Sequence, residues 1–132
     1  MATTIAEYYI AELLDWNNAI IFYNEEMEEI EQKLAAVISR NSIVGIADKV
    51  EVQQNLLNNV SDKFYKIQNE IQEQSGSLQS DGKLKDDALI TNEYELKQFD
   101  IRLRMNTVEK DYVDKKLNCY NFISTTLKKN DT

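Results

Sequence analysis

Residues 9–37 read YIAELLDWNNAIIFYNEEMEEIEQKLAAV, and their apolar side chains recur at intervals that alternate between four and three residues. This seam has nine positions, all apolar or aromatic: Tyr9, Leu13, Trp16, Ile20, Tyr23, Met27, Ile30, Leu34 and Val37. An average spacing of about 3.5 residues is typical of a long helix that packs one continuous face against partner helices. The stretch therefore predicts coiled-coil-like heptad packing.

Residues that break helices are confined to two places in the chain. The sequence contains no proline, and its three glycines are Gly45, Gly76 and Gly82. Because no stretch shows the alternation of a strand, the 132 residues predict a single all-α domain with three helices. We expect helix 1 over about 4–40, helix 2 over about 43–74, a loop over 75–83 and helix 3 over about 84–129.

Short connections between the helices predict an elongated, antiparallel bundle that runs up, down and up. Thr4 and Glu7 have the spacing of a capping box at the start of helix 1. If helices 1 and 3 start level with each other, the acidic run at 25–31 lies beside Arg102, Arg104 and Lys110. We therefore expect ion pairs between these two groups, which would set the orientation of the helices more than their stability.

Apolar residues outside the main seam suggest that two of the helices have more than one neighbour. In helix 1 the seam before residue 24 is flanked by Ile10, Leu14, Ile21 and Phe22. Helix 3 has a larger surplus off its core stripe: Leu96, Phe99, Leu103, Val113, Leu117, Tyr120 and Phe122. Contiguous apolar surface that a bundle does not cover usually marks an interface. The sequence thus predicts a protein partner, either a second copy in a homodimer or a heterologous helical protein.

The charge and cysteine content narrow the expected partners and the expected compartment. A net charge of −8 argues against nucleic acids and acidic membrane surfaces as partners. No run of 18 apolar residues predicts a membrane span, and the N-terminal residues lack the pattern of a secretory signal. Cys119 is the single cysteine, which fits a reducing compartment. We therefore expect a cytoplasmic protein.

Few residues in this sequence are suited to catalysis or to holding a metal. It has no histidine, and histidine is the commonest general base and transition-metal ligand. Cys119 is expected to be a small core residue, and Gln53, the polar position in the helix 2 seam, to be partly exposed or hydrogen-bonded. The acidic run at 25–31 predicts a solvated face, because one helix face does not supply the six to eight oxygens that calcium prefers. No cofactor and no metal is predicted.

Seam-rich helices without a reactive group are typical of proteins that bind other proteins. The sequence predicts a non-catalytic helical interaction module, such as an adaptor, a scaffold or an assembly-chaperone-like protein, and not an enzyme. The alternative is a bundle that binds a small molecule or a divalent cation in its interior or on its acidic face.

Overall fold

The computed structural model describes residues 4–40 and 43–130, and side chains up to residue 128. Helix α1 spans Ile5–Arg40, α2 spans Ile46–Ser77 and α3 spans Asn92–Asn130. Two strands of two residues each, β1 (Gln79–Ser80) and β2 (Lys83–Leu84), and a 3-10 turn (Asp87–Leu89) lie between α2 and α3. The three helices pack against one another, so the predicted all-α three-helix bundle is confirmed.

Hydrogen bonds between helices give the direction of each helix. Glu12 of α1 pairs with Arg102 of α3, and Glu26 pairs with Lys116, so these two helices run parallel. The numbers of α2 residues fall as those of their α3 partners rise: Glu70 pairs with Lys97, Lys63 with Asp111 and Gln53 with Cys119. The helices therefore run up, down and up.

The core is one cluster of buried side chains from all three helices and the connection between α2 and α3. Six of the nine predicted α1 seam residues are buried, and Tyr9, Trp16 and Tyr23 pack against the core from its edge. In α2 the buried residues again recur at intervals of three and four, as at Leu57, Val60, Phe64 and Ile67. Burial of this seam supplies the main driving force for packing, since apolar area removed from water is stabilising by about 25 cal/mol per Å².

The connection between α2 and α3 differs from the predicted loop over 75–83. Helix α2 continues to Ser77, and a short hairpin follows it. Its turn is formed by Asp81 at φ 53° and Gly82 at φ 77°. Aspartate followed by glycine is a favoured pair for a two-residue turn with positive φ at both positions. Leu78, fully buried, and Ile90 anchor the two sides of this segment in the core.

Helix α3 begins at Asn92, eight residues after the predicted start, because the hairpin and the 3-10 turn occupy the intervening residues. Asp87 lies in the 3-10 turn, and its Oδ1 accepts a hydrogen bond from the Ile5 backbone N–H at 2.9 Å. The start of α1 is also capped by Thr4, whose hydroxyl accepts from the Glu7 N–H at 3.2 Å, as predicted.

The later start of α3 also changes the ion pairs. Contrary to the prediction, Arg102 lies level not with the acidic run at 25–31 but with Glu12, about 3.6 turns nearer the start of α1. Arg102 pairs with Glu12, and Arg104 pairs with Glu70 and with Asp100 of its own helix. Within the acidic run, Glu26 pairs with Lys116.

The connection between α1 and α2 is short, and its residues 41 and 42 lie outside the described part. The predicted start of helix 2 at about 43 is three residues early, because α2 begins at Ile46. Gly45 precedes it at φ 79°, a conformation that glycine adopts without the strain it would cause in other residues.

Candidate functional site

The most prominent exposed apolar surface is a row of side chains along the outer face of α3. Its five large apolar members are each between 49% and 68% exposed: Leu96, Phe99, Leu103, Val113 and Leu117. Asn106 and Lys110, also exposed, occupy the two positions between Leu103 and Val113. We call these seven residues the outer stripe.

The outer stripe has the same periodicity as the core seams. Its positions, 96, 99, 103, 106, 110, 113 and 117, alternate between intervals of three and four. The core face of α3, with Ile101, Met105, Val108 and Tyr112, lies on the opposite side of the helix. The sequence predicts that these five apolar residues are surplus to the core, and their common spacing is the signal that places them on one face.

The four predicted interface residues of α1 lie on two different sides of the helix. Asn17 accepts a hydrogen bond from Gln68 of α2 and therefore faces α2. Ile10, Leu14 and Ile21 lie seven, three and four residues from Asn17, and these spacings place them on the same side of the helix. Leu14 and Ile21 are exposed there, whereas Ile10 is partly buried against the core.

The fourth predicted residue, Phe22, lies on the α3 side of α1. It precedes Glu26 by four residues and therefore shares its face, and Glu26 accepts hydrogen bonds from Tyr112 and Lys116 of α3. Phe22 is 56% exposed. The four residues are therefore not a single surface, and their contact with a partner stays a prediction.

A shallow, mostly apolar groove runs between α1 and α2 near the hairpin. Ile10 and Leu14 line one side of it, and Ile71, Gln72 and Ser75 line the other. It is open to solvent along its length, so it offers apolar contact without enclosing a ligand.

A buried polar network joins the three helices near the hairpin. Gln98 is 1% exposed, and its Nε2 donates to the Tyr9 carbonyl at 3.2 Å and to Glu12 at 2.9 Å. Its Oε1 accepts from Gln74 of α2, and Arg102 binds both oxygens of Glu12 at 2.7 and 2.8 Å. Burial alone would raise the pKa of Glu12, but the hydrogen bonds from Arg102 and Gln98 outweigh it and lower the pKa.

An aromatic cluster in the middle of the bundle uses one ring from each helix. The centroids of Tyr23 and Tyr112 are 4.9 Å apart, and those of Tyr23 and Phe64 are 5.4 Å apart. The Tyr112 hydroxyl donates to Glu26 at 2.7 Å, and the Tyr23 hydroxyl donates to Glu109 at 2.6 Å. Burial, and then the hydrogen bond to Glu109, raises the pKa of Tyr23 to about 12.

Cys119 is fully buried, which confirms its predicted place in the core. Burial raises the pKa of its thiol to about 11, so the reactive thiolate is scarce at neutral pH. The Sγ lies 3.5 Å from the Oε1 of Gln53, which accounts for the polar position in the α2 seam. Both residues therefore have structural roles.

The acidic run at 25–31 is divided between a structural and a solvated part. Glu26 is held by Lys116 and Tyr112, whereas Glu25, Glu28 and Glu29 are exposed. Within residues 4–40 and 43–130, no three acidic or cysteine side chains come together in a way that could hold a metal ion.

Comparison of the chain with known protein families, with curated proteins and with solved structures finds no match in any of the three. None of the described helices combines the length and apolar character needed to cross a lipid bilayer.

Proposed function

We propose that this protein is a non-catalytic helical protein–protein interaction module, of the adaptor, scaffold or assembly-chaperone type. The observation that carries the proposal is the outer stripe of α3. Five large apolar side chains that are about half exposed lie in one row, in two groups on either side of Asn106 and Lys110, whereas exposed apolar residues of monomeric proteins are usually scattered. A row with heptad spacing is suited to receive another helix.

The roles of the polar and reactive side chains support a binding function over catalysis. Cys119 is buried with a raised pKa, and Tyr23 and Tyr112 donate to carboxylates within the bundle. Each of these groups makes contacts within the bundle, and the pocket that Tyr23 lines is open to solvent. The chemistry that could serve catalysis is thus already used in packing.

The charge of the chain supports a protein partner in the cytoplasm. A net charge of −8 disfavours nucleic acids and anionic membranes. A single buried thiol and no disulfide in the described part fit a reducing compartment.

Photo-crosslinking in cells that produce the protein tests this function. A photoreactive amino acid placed at Leu103 is expected to give a discrete crosslinked protein product. The matched control position is Val52, which is exposed to a similar degree on α2 but lies off the stripe. The absence of any product from Leu103, or equal products from both positions, would contradict the proposal.

The second candidate is a bundle that binds a small molecule, and the groove between α1 and α2 favours it. An apolar ligand lying against Leu14 and Ile71 would stabilise the folded state by mass action. A thermal-shift screen with apolar ligands tests this candidate. A rise in melting temperature that is abolished by Leu14→Glu and kept by Val52→Glu would support it.

A further inference from the structure

We propose that the outer stripe of α3 pairs, antiparallel, with the outer stripe of a second copy of this chain, about a two-fold axis near residue 108. The inference rests on the proposed interaction function and names the partner, the surface and the register. A two-fold interface must be complementary to itself, because the same surface is contributed by both copies. The sequence of the outer stripe meets this condition.

The stripe is chemically symmetric about residue 108. The half-buried Tyr120, which follows Leu117 by three residues, continues the row. With Tyr120 included, the positions lie 2, 5, 9 and 12 residues before and after residue 108. Antiparallel pairing then places apolar against apolar and polar against polar in every layer: Leu96 with Tyr120, Phe99 with Leu117, Leu103 with Val113 and Asn106 with Lys110.

Other arrangements of two copies lose this match. A parallel pair in register would place two Lys110 ammonium groups in the same layer, where like charges repel with little water between them. An antiparallel pair shifted by one heptad would set Phe99 against Lys110, so that the ammonium group would lose the amide acceptor that Asn106 offers in the matched register. The polar layer therefore selects both the orientation and the register, as single polar seam residues do in coiled coils.

The polar groups at the centre have hydrogen-bonding capacity to offer a second copy. Asn106 and Lys110 make no side-chain hydrogen bond or ion pair within the described residues, and Glu109 accepts from Tyr23 through Oε2. In the antiparallel pair, Lys110 comes level with Asn106 of the second copy and within one turn of its Glu109. An amide oxygen and a carboxylate can then accept from the ammonium group on each side of the axis.

The bases that flank the stripe on its α1 side are already neutralised. Arg102 pairs with Glu12, and Lys116 pairs with Glu26, both within the same chain. In an antiparallel pair, Arg102 of one copy lies near Lys116 of the other. Because each of these bases is already paired with a glutamate of its own chain, two ion pairs approach each other instead of two unpaired positive charges. Near the axis, Lys110, Glu109 and the exposed Asp114 make no ion pair within the described residues, so each copy brings acids as well as a base to this part of the interface.

The available area is near that of a stable dimer. From Leu96 to Tyr120 the paired helices would touch over roughly 36 Å. Each half-exposed large side chain of the stripe offers on the order of 100 Å², which gives about 1,000 Å² for two copies from the five apolar residues alone. Phe22 stands on the α3 side of α1 near the level of Lys110. When Phe22 and the polar residues beside the stripe are included, the buried area approaches the 1,200–2,000 Å² that is typical of specific interfaces.

Light scattering and spin-label distances on the purified full chain test the inference. We expect a dimer at about 100 µM, and we expect Leu103→Glu to raise the dimer dissociation constant roughly a hundredfold or more. Val52→Glu, the matched control, should leave that constant unchanged. Circular dichroism checks that the variants stay helical, and Leu117→Glu replaces Leu103→Glu if that variant does not fold.

Spin labels on single cysteines report the orientation, because buried Cys119 should not react. Two labels at Glu93→Cys should lie roughly 45 Å apart in the antiparallel dimer, whereas labels at Thr107→Cys, near the axis, should lie much closer. Short distances from both positions would indicate a parallel dimer and overturn the inference. A monomer at about 100 µM, or equal dimerisation of the two glutamate variants, would also overturn it. The interaction function would still stand if photo-crosslinking at Leu103 captured a different protein.

Discussion

Replacing Tyr112 by phenylalanine isolates one hydrogen bond between α3 and α1. The Tyr112 side chain is 1% exposed, and its hydroxyl donates to the Glu26 carboxylate at 2.7 Å. The substitution keeps the ring beside Tyr23 and Phe64, so no large cavity forms. Hydrogen bonds to charged groups are worth about 1.5–3 kcal/mol. We expect the free energy of unfolding at pH 7 to fall by that amount.

The effect of Tyr112→Phe should depend on pH, because Glu26 is the acceptor. Burial alone would raise the pKa of Glu26, but the bonds from Lys116 and Tyr112 outweigh it and lower the pKa. A carboxyl with a lowered folded pKa stabilises the fold above its unfolded pKa and loses that contribution as pH falls through the folded pKa. Once Glu26 is protonated, the bond is between neutral groups, and the loss should shrink to about 1 kcal/mol.

Urea unfolding at fixed protein concentration, at pH 7 and at the lowest pH where the chain stays folded, measures both values. Tyr65→Phe is the matched control, because Tyr65 is 65% exposed and has no hydrogen bond within the described residues; its effect should stay within about 0.5 kcal/mol. A Tyr112→Phe effect as small as the control, or one that grows as pH falls, would refute the reasoning.

Three further outcomes are expected. Phe64→Ala removes a fully buried ring from the central cluster and should lower the unfolding free energy by about 3–5 kcal/mol in urea titration; a loss below 1 kcal/mol would contradict the core described above. Asp87→Ala removes the acceptor of the Ile5 N–H and should cost about 0.5–2 kcal/mol, as for a lost cap, whereas Asp86→Ala should cost less. The Cys119 thiol should react with a disulfide reagent at pH 8 only when the chain unfolds, so fast labelling of the native protein would be the opposing result.

The three helices could be predicted from the sequence because their burial repeats along the chain. The seam from Tyr9 to Val37 needs no knowledge of distant residues, since helical spacing alone puts its members on one face. Thr4 and Cys119 were equally predictable, the first from its spacing to Glu7 and the second from the usual burial of free cysteine.

The register of α3 was missed because it depends on the short hairpin before it. Asp81 and Gly82 are the local signal of that turn. Because the predicted loop ended at residue 83, the predicted start of α3 was eight residues too early. The predicted partners of both arginines were therefore wrong: Arg102 pairs with Glu12, about 3.6 turns before the acidic run, and Arg104 pairs with Glu70 of α2. The hydrogen bond by which Asp87 caps α1 could not be predicted from local sequence, because Asp87 and its donor Ile5 are 82 positions apart.

The outer stripe was only partly predictable for a different physical reason. Its apolar residues are visible in the sequence, but two apolar faces on one helix compete for the role of core. Only the packing of Ile101, Met105 and Tyr112 against the other helices assigns the remaining face to solvent.

Carbene footprinting of the protein in a native lysate tests most directly whether the outer stripe is an interface. In the single chain Leu103, Leu117, Val52 and Leu89 are exposed to similar extents, between 50% and 57%. We therefore predict that Leu103 and Leu117 are labelled several times less than Val52 and Leu89, because a partner covers the stripe. Equal labelling of the four residues would contradict this account.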